Sequence, residues 1–557
     1  MSKLNLTASA LAICAALAGC THENAPVVEE TLVQETAVDP NTEQIAEATA
    51  FVARAEAELA ALSKEVNQAY WNQETNITDE TDAIAAEAGA KATKLAVSLA
   101  NESKKYDASI MPYDVARKIH ILRSGITLPA PSREGAAEEL STIATGLTST
   151  YGKGKFEYKG QMIDLDQAST IIETSRDPAE LKAVWEGWRT ISPPMKADYA
   201  RMVELANEGA QELGYPTLDQ MWLSNYDMPP EEMEAEVKRL WGQVEPLYKE
   251  LHCYARWKLN AQYGDDVQPK TGPIRADLLG NMWAQQWSSI YDIVKPDTAP
   301  VSYDLTTRLN ERGYTPIKMV QTGEAFFTSL GLDPLPETFW ERSMIVRPEG
   351  KEVVCHASAW DLDDEEDVRI KMCTEVNSED FYTVHHELGH NFYQRAYKDQ
   401  PYLYKNGAHD GFHEAIGDFI GLSITPEYLE QIGLISGEEK PGPDADTALL
   451  MQTALDKIAF LPFALTVDGW RWDVLNGTTK PEDYNKAWWD LRLANQGIVP
   501  PGPRPDDAFD PGAKFHIPGN TPYLRYFLSF VMQFQFHKAA CEQIGRASCR
   551  ERVYSNV

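Results

Sequence analysis

Cysteine is scarce, seven in 557 residues, which excludes a small disulfide-dense scaffold. Positive charge is scarce too: 51 Lys and Arg stand against 84 Asp and Glu, a formal charge of −33. A chain this acidic is repelled by phosphate backbones, so nucleic-acid binding is a poor fit. After residue 20 no stretch reads as long and apolar enough to span a bilayer, and no internal repeat or long linker follows residue 43. What is present, 43% hydrophobic and 10% aromatic residues, is the composition of an ordinary globular protein with material for a large core.

Residues 1–19 read as an address rather than a fold. Lys3 gives a positive start, and Leu4 to Gly19 is an apolar run rich in Ala and Leu. It is short for a membrane span and ends in small residues, as a cleaved export signal does. The ending Leu17-Ala18-Gly19-Cys20 resembles a bacterial lipoprotein signal, in which Cys20 becomes the acylated first residue; ordinary secretion with Cys20 incidental is the alternative. Cys14 is a poorer candidate because bulky Ile13 precedes it. Residues 20–42 show no sustained period and read as a flexible tether. The expected location is outside the cytoplasm, lipid-anchored to a bacterial cell membrane with the folded domain in the periplasm, or else soluble there. The membrane is then met through the N-terminal lipid only.

From about residue 43 the pattern turns helical. Phe51, Ala55, Leu59, Leu62, Val66 and Tyr70 recur at spacings of three and four, one apolar stripe on a long helix. Comparable stripes run near 78–104, 196–212, 231–263, 379–399 and 446–475, with proline-rich breaks near 192–194, 229–230, 441–443 and 500–511. The economical reading is one large, mainly α domain over residues 43–543. β character is confined to one place, where residues 353–360 and 368–373 flank an acidic tip, Asp361 to Asp367. A hairpin folded about residue 364 sets Cys355 opposite Cys373, which in an exported protein invites a disulfide; two buried thiols are the alternative. Cys253, on an expected helix, has no evident partner.

The motif that carries chemistry follows the hairpin. Val384-His385-His386-Glu387-Leu388-Gly389-His390 contains His-Glu-x-x-His in a helical stretch. Residues i and i+4 share a helix face, so His386 and His390 can turn ring nitrogens toward one metal ion. Glu387 beside them is suited to take a proton from an attacking water. A third ligand is offered by Glu414 in Gly411-Phe412-His413-Glu414-Ala415-Ile416-Gly417-Asp418, which opens another helical stretch. A His₂Glu zinc site with its fourth position open is the catalytic arrangement. Asp418, one turn on from Glu414, can orient a ligand histidine. His385 and His413 adjoin these residues but point to other helix faces, and are read as structural.

Together these motifs resemble the angiotensin-converting enzyme family, the peptidyl-dipeptidase A metallopeptidases. Trp185-Glu186-Gly187-Trp188-Arg189, Asn281-Met282-Trp283-Ala284-Gln285 and Cys355-His356-Ala357-Ser358-Ala359-Trp360 extend the resemblance. So do Trp488-Trp489 with Arg492, Lys514-Phe515-His516-Ile517-Pro518 and Pro522-Tyr523-Leu524-Arg525-Tyr526, in order over residues 45–543. The family implies a largely helical ellipsoid of two subdomains with a deep central cleft, and a small β-hairpin beside a gluzincin-type zinc site holding one Zn2+ per chain. It implies hydrolysis of oligopeptides two residues from a free C-terminus, releasing a dipeptide. By the same resemblance, His516 and Tyr526 stabilise the oxyanion. Gln285, Lys514 and Tyr523 hold the substrate's terminal carboxylate. His356 and Ala357 lie in the edge segment that pairs with the peptide backbone. Arg189, Trp488 and Arg492 match one chloride site, and Tyr226 with Arg525 another; ordinary salt bridging is the alternative. A related carboxypeptidase branch has Arg at the position of Gln285, so Gln285 points to dipeptide release. A zinc carboxypeptidase or oligopeptidase on the same scaffold remains open, as does a non-catalytic peptide-binding protein.

The resemblance stops after Gln543, where the family continues through a further helical region, so the domain is expected to be truncated there. Ile544 to Val553 resembles the translation of a sequencing adapter; residues 544–557 are set outside the domain and a Cys541–Cys549 disulfide is not inferred. The anchor can be tested by membrane fractionation. Wild-type protein is expected with the membranes and Cys20→Ser soluble or unprocessed; equal partitioning of the two would remove the lipoprotein reading.

Overall fold

The computed structural model describes residues 40–297, 303–351, 353 and 357–544. The expectations for Cys20, for His356, for Cys355 and its pairing with Cys373, and for residues 545–557 fall outside the described residues. Helices dominate, as the periodicity requires. Five of them, α1 (Pro40–Thr75), α2 (Asp79–Ser103), α3 (Lys196–Glu212), α4 (Pro230–Tyr263) and α5 (Ser378–Tyr397), each cover one of the apolar stripes. Local signals set their starts. The Thr81 N–H donates to Thr78 Oγ1 (3.1 Å) and the Thr78 N–H to Thr81 Oγ1 (2.9 Å) ahead of α2. Asn377 Oδ1 accepts from the Asp380 N–H at 2.7 Å where α5 begins.

The stripe on α1 drifts along its length. Phe51 and Ala55 are buried, but Tyr70 is 38% exposed, and its neighbours Ala69 and Trp71 are buried in its place. The cause is a change of partner. Trp71 meets Trp360 edge-on (5.6 Å between ring centres) with the Arg369 guanidinium 4.9 Å over its ring, so the buried face rotates toward the hairpin.

That hairpin is β1 (Ser358–Asp361) and β2 (Val368–Lys371), antiparallel with Ser358 opposite Lys371. A fold centred on residue 364 requires Ser358 opposite Ile370, so the register is one residue off the expected one. The turn explains this. The Leu362 N–H donates to Asp367 O at 3.0 Å, and the Asp363 carboxylate accepts from the backbone N–H groups of Glu365, Glu366 and Asp367. The enclosed loop, residues 363–366, has an even length and cannot be centred on one residue. On the far side of β2, Met344 and Ile345 bond its backbone and that of the residues following it. Asn391 Nδ2 on α5 donates to Arg369 O (3.1 Å) and Trp360 O (3.3 Å), tying the hairpin to that helix.

Further along lie α6 (Asp410–Gly421), α7 (Pro443–Thr453), α8 (Ala459–Leu475), α9 (Tyr484–Gln496) and α10 (Leu524–Ile544). The single stripe expected over 446–475 is interrupted by a π-helical turn, Ala454–Ile458, just where Pro462 cannot donate to the carbonyl four residues back. Contrary to the sequence reading, Thr447–Leu475 does reach the length and apolarity of a membrane span. Within it the apolar residues of α8 are covered by protein: Phe460, Phe463, Val467, Trp470 and Val474 are all buried.

Two apolar cores position the site. The larger includes Trp287, Phe463, Trp470, Tyr523 and Phe530; a second includes Val320, Phe339, Ile370, Val384, Leu388 and Phe392. Burying each of Val384, Leu388 and Phe392 contributes about 1.5–3 kcal/mol, which pins α5 on that side. Its opposite face, carrying His386 and His390, is left lining a cavity whose other wall includes Phe460, Tyr523 and Phe530 from the larger core.

Candidate metal centre and cleft

Helices α5 and α6 meet at two glycines. A Cβ on Gly389 would lie 3.1 Å from Gly417 Cα, and a Cβ on Gly417 would lie 2.7 Å from the His386 ring. Only residues without side chains permit so close an approach. It brings Glu414 Oε2 to 3.8 Å from His386 Nε2. His386 Nε2 and His390 Nε2 stand 3.0 Å apart, and one potential ligand atom from each of His386, Glu387 and His390 falls within 4.8 Å of the others. Two imidazole lone pairs at that separation need a proton or a cation between them. Two nitrogens with a nearby carboxylate are the donor set zinc takes, so the residues fit a zinc ion.

The electrostatics agree. Burial opposes a charged His386, but Asp418, 3.5 Å from its Nδ1, together with Glu387 and Glu414 holds it up at about 9. Burial and the His386 charge push His390 well below the ordinary histidine value. Glu387 is 7% exposed. Burial, with Glu414 adding, lifts its carboxyl to about 7 against the pull of His386 and Lys371, while the Ala359 N–H of β1 bonds it. A buried carboxyl in that range is suited to proton transfer near neutrality.

A cavity of about 760 Å³ gathers the expected cleft residues: Gln285, Ala357, Lys514, His516, Tyr523 and Tyr526 line it with His386, Glu387, His390 and Glu414. A second, of about 810 Å³, shares Ala357, His386 and Glu387 and extends past Asp418, Asp456 and Lys457. The rings of His516, Tyr523 and Tyr526 form a triangle with centres 4.9, 5.5 and 4.8 Å apart. The backbone beneath them is fixed from α8. Asp468 Oδ2 accepts from the N–H groups of Tyr523 (2.9 Å) and Leu524 (2.5 Å), and Arg471 donates to His516 O (3.0 Å) and Thr521 O (2.7 Å). Lys514 Nζ donates to Gln285 Oε1 at 2.7 Å and sits 4.2 Å over the Trp283 ring. Burial, with Arg492 adding, pushes its ammonium down to about 7.

The two chloride candidates differ. Arg189 donates to Trp185 O (2.9 Å) and Met282 O (2.8 Å), and Arg492 to Trp283 O (2.6 Å). The Nε of each is buried with no acceptor among the described residues, and Trp488 lies beneath Arg492 at 5.6 Å. Arg525 Nε likewise makes no hydrogen bond among the described residues, but it lies 3.0 Å from Asp410 Oδ2 in an ion pair, and Asp410 also faces Tyr226. A carboxylate of the chain itself provides the negative charge expected there from chloride. His385 is buried away from the site, its nitrogens 2.8 Å from Phe381 O and 3.1 Å from Tyr428 Oη. His413 was misread: its Nδ1 lies 3.3 Å from His390 Nδ1. No periodicity could reveal this, because the partner sits on another helix. Cys253 is a free, exposed thiol.

Two histidines one turn apart on a helix, with Glu387 between them and the Glu414 carboxylate of the crossing helix 3.8 Å from His386, form a cluster of the kind that can hold a metal ion in metallopeptidases. Residues 42–552 match the family model described as angiotensin-converting enzyme, peptidase M2, and the chain belongs to that family. The angiotensin-converting enzymes of Mesocricetus auratus and Bos taurus are each 41% identical to it over 505 residues, covering 90% of this chain. The chain spans only 38% of the length of those two relatives. The angiotensin-converting enzyme of Haematobia irritans exigua is 39% identical over 507 residues, 89% of this chain and 82% of its own.

The glycine crossing makes a test of the centre. Gly417→Ala should displace the His386 ring, costing about 1–3 kcal/mol of stability and roughly 10-fold or more in zinc affinity. Denaturant unfolding and zinc titration measure the two; an unchanged zinc affinity would refute the packing argument.

Proposed function

We propose that the chain is a zinc-dependent peptidyl-dipeptidase that removes dipeptides from the free C-terminus of oligopeptides. One observation carries the reading: the buried Lys514 ammonium shares a cavity with the metal cluster, its hydrogen-bond partner is the neutral Gln285 amide, and the charge that weighs on it is the like charge of Arg492. Among the described residues no carboxylate is within ion-pair distance of it, so a substrate carboxylate is the partner such a group lacks.

Zinc, held by His386, His390 and Glu414, would polarise the scissile carbonyl and acidify a water. Glu387 takes the proton of the attacking water and returns it to the leaving amine. His516 and Tyr526 donate hydrogen bonds to the oxyanion. Gln285, Lys514 and Tyr523 hold the terminal carboxylate, and their separation from the metal ligands sets how many residues leave. Ala357, with His356, pairs with the peptide backbone, and Asp418 orients His386. Chloride is assigned to Arg189, Trp488 and Arg492, supported by the buried Nε groups of the two arginines, which have no acceptor among the described residues. Export with a lipid on Cys20, in a bacterial lipoprotein form, and a Cys355–Cys373 disulfide complete the reading. The latter is supported by Cys373 not being among the free thiols.

Mass spectrometry of products from a peptide pool, with and without chelator, tests the function. Glu387→Gln is expected to keep its zinc and lose nearly all turnover; an active variant would sink the mechanism.

Lys514→Ala should cost about 1.5–3 kcal/mol in kcat/KM, the range for a hydrogen bond to a charged group. That penalty should largely vanish on C-terminally amidated peptides. Indifference to amidation, or single amino acids as the first product, would replace the dipeptidase with an oligopeptidase or a carboxypeptidase.

A further inference from the structure

His390 and His413 face each other across α5 and α6 with their Nδ1 atoms 3.3 Å apart, and His413 Nε2 lies 3.0 Å from Tyr397 Oη. The Tyr393 ring, centred 4.7 Å from the His413 ring, and the Tyr397 ring, at 5.7 Å, enclose it. Donor and acceptor logic leaves one arrangement once His390 offers Nε2 to a metal. A neutral imidazole bound through Nε2 carries its proton on Nδ1, so His390 donates. His413 then accepts at Nδ1, carries its own proton on Nε2, and donates to Tyr397.

We propose that His413 is a positioning residue for the ligand His390, held in the required tautomer by Tyr397. The inference rests on the zinc reading of the preceding subsection. It also makes the two ligand histidines unequal. His386 leans on the Asp418 carboxylate at 3.5 Å, which raises its basicity, whereas His390 leans on a neutral ring that fixes orientation with less effect on charge. A histidine that merely filled space here would not need a nitrogen at that position.

The test uses the full-length protein, stripped of metal and titrated with zinc against a competing chelator, alongside thermal melting of each metal-free form. His413→Phe keeps a ring but offers no acceptor, and is expected to weaken zinc binding by about 10–100-fold. His413→Gln can accept from His390 and donate to Tyr397, and should recover most of that loss. Tyr397→Phe, which leaves the ring packing and releases the tautomer, should weaken binding several-fold. Wild-type affinity in His413→Phe, equal weakening in the Phe and Gln variants, or an unchanged Tyr397→Phe would each overturn the proposal. If His413→Phe does not fold, the Gln and Tyr397→Phe variants decide. A wild-type protein that takes up no zinc would fail the metal reading itself, a result distinct from the others.

Discussion

The approach of α5 to α6 at Gly389 and Gly417 is the constraint on which the centre depends. The His-Glu-x-x-His helix supplies two nitrogens on one face, while the Glu414 carboxylate that stands near them belongs to a helix after an intervening loop. That helix must come close enough for Glu414 to reach the same point. The apolar back of α5, with Val384, Leu388 and Phe392 in the second core, supplies the force, and the glycines let that force act without a side chain holding the helices apart. Asn391 carries the same positioning on to the hairpin, so β1 is set beside Glu387 by the helix that bears it.

The cleft joins two regions of opposite electrical character inside a strongly acidic protein. Around the metal cluster, Glu387, Glu414 and Asp418 are gathered within reach of His386. Toward Lys514 the buried charges are cationic, with Arg492 beside it. A net charge of −33 repels an anionic peptide end at long range, but the Debye length is about 8 Å at physiological salt. The cationic character near Lys514 therefore acts through desolvated local contacts rather than through the field of the surface.

Much of this was legible in the sequence, for identifiable reasons. The long stripes on α1 through α5 gave the helical class because 3.6-residue periodicity is a local property. The grouping of His386, Glu387 and His390 was readable because their spacing has a geometric meaning on one helix. The failures share the opposite trait. The hairpin register slipped by one because the even loop is fixed by the Asp363 side chain accepting three backbone N–H groups. Tyr70 points outward because α1 changes partners at Trp71. The run 446–475 is broken by a π-turn, and the apolar residues of its second half are buried in the larger core. Arg525 is paired with Asp410, and His413 with His390, through contacts between segments that no single-helix pattern encodes.

The hairpin also gives α1 a place in the chemistry of the site. Lys371, at the end of β2 and almost wholly buried, pairs through Nζ with Glu74 Oε2 at 2.9 Å, in the last turn of α1. The same ammonium acts on Glu387 across the hairpin. The Lys371 ammonium is thus shared between a carboxylate in the last turn of α1 and the buried Glu387 carboxyl on α5. The positive charge felt by Glu387 therefore depends on how α1 is docked, so the N-terminal helix takes part in setting the proton affinity of that buried carboxyl.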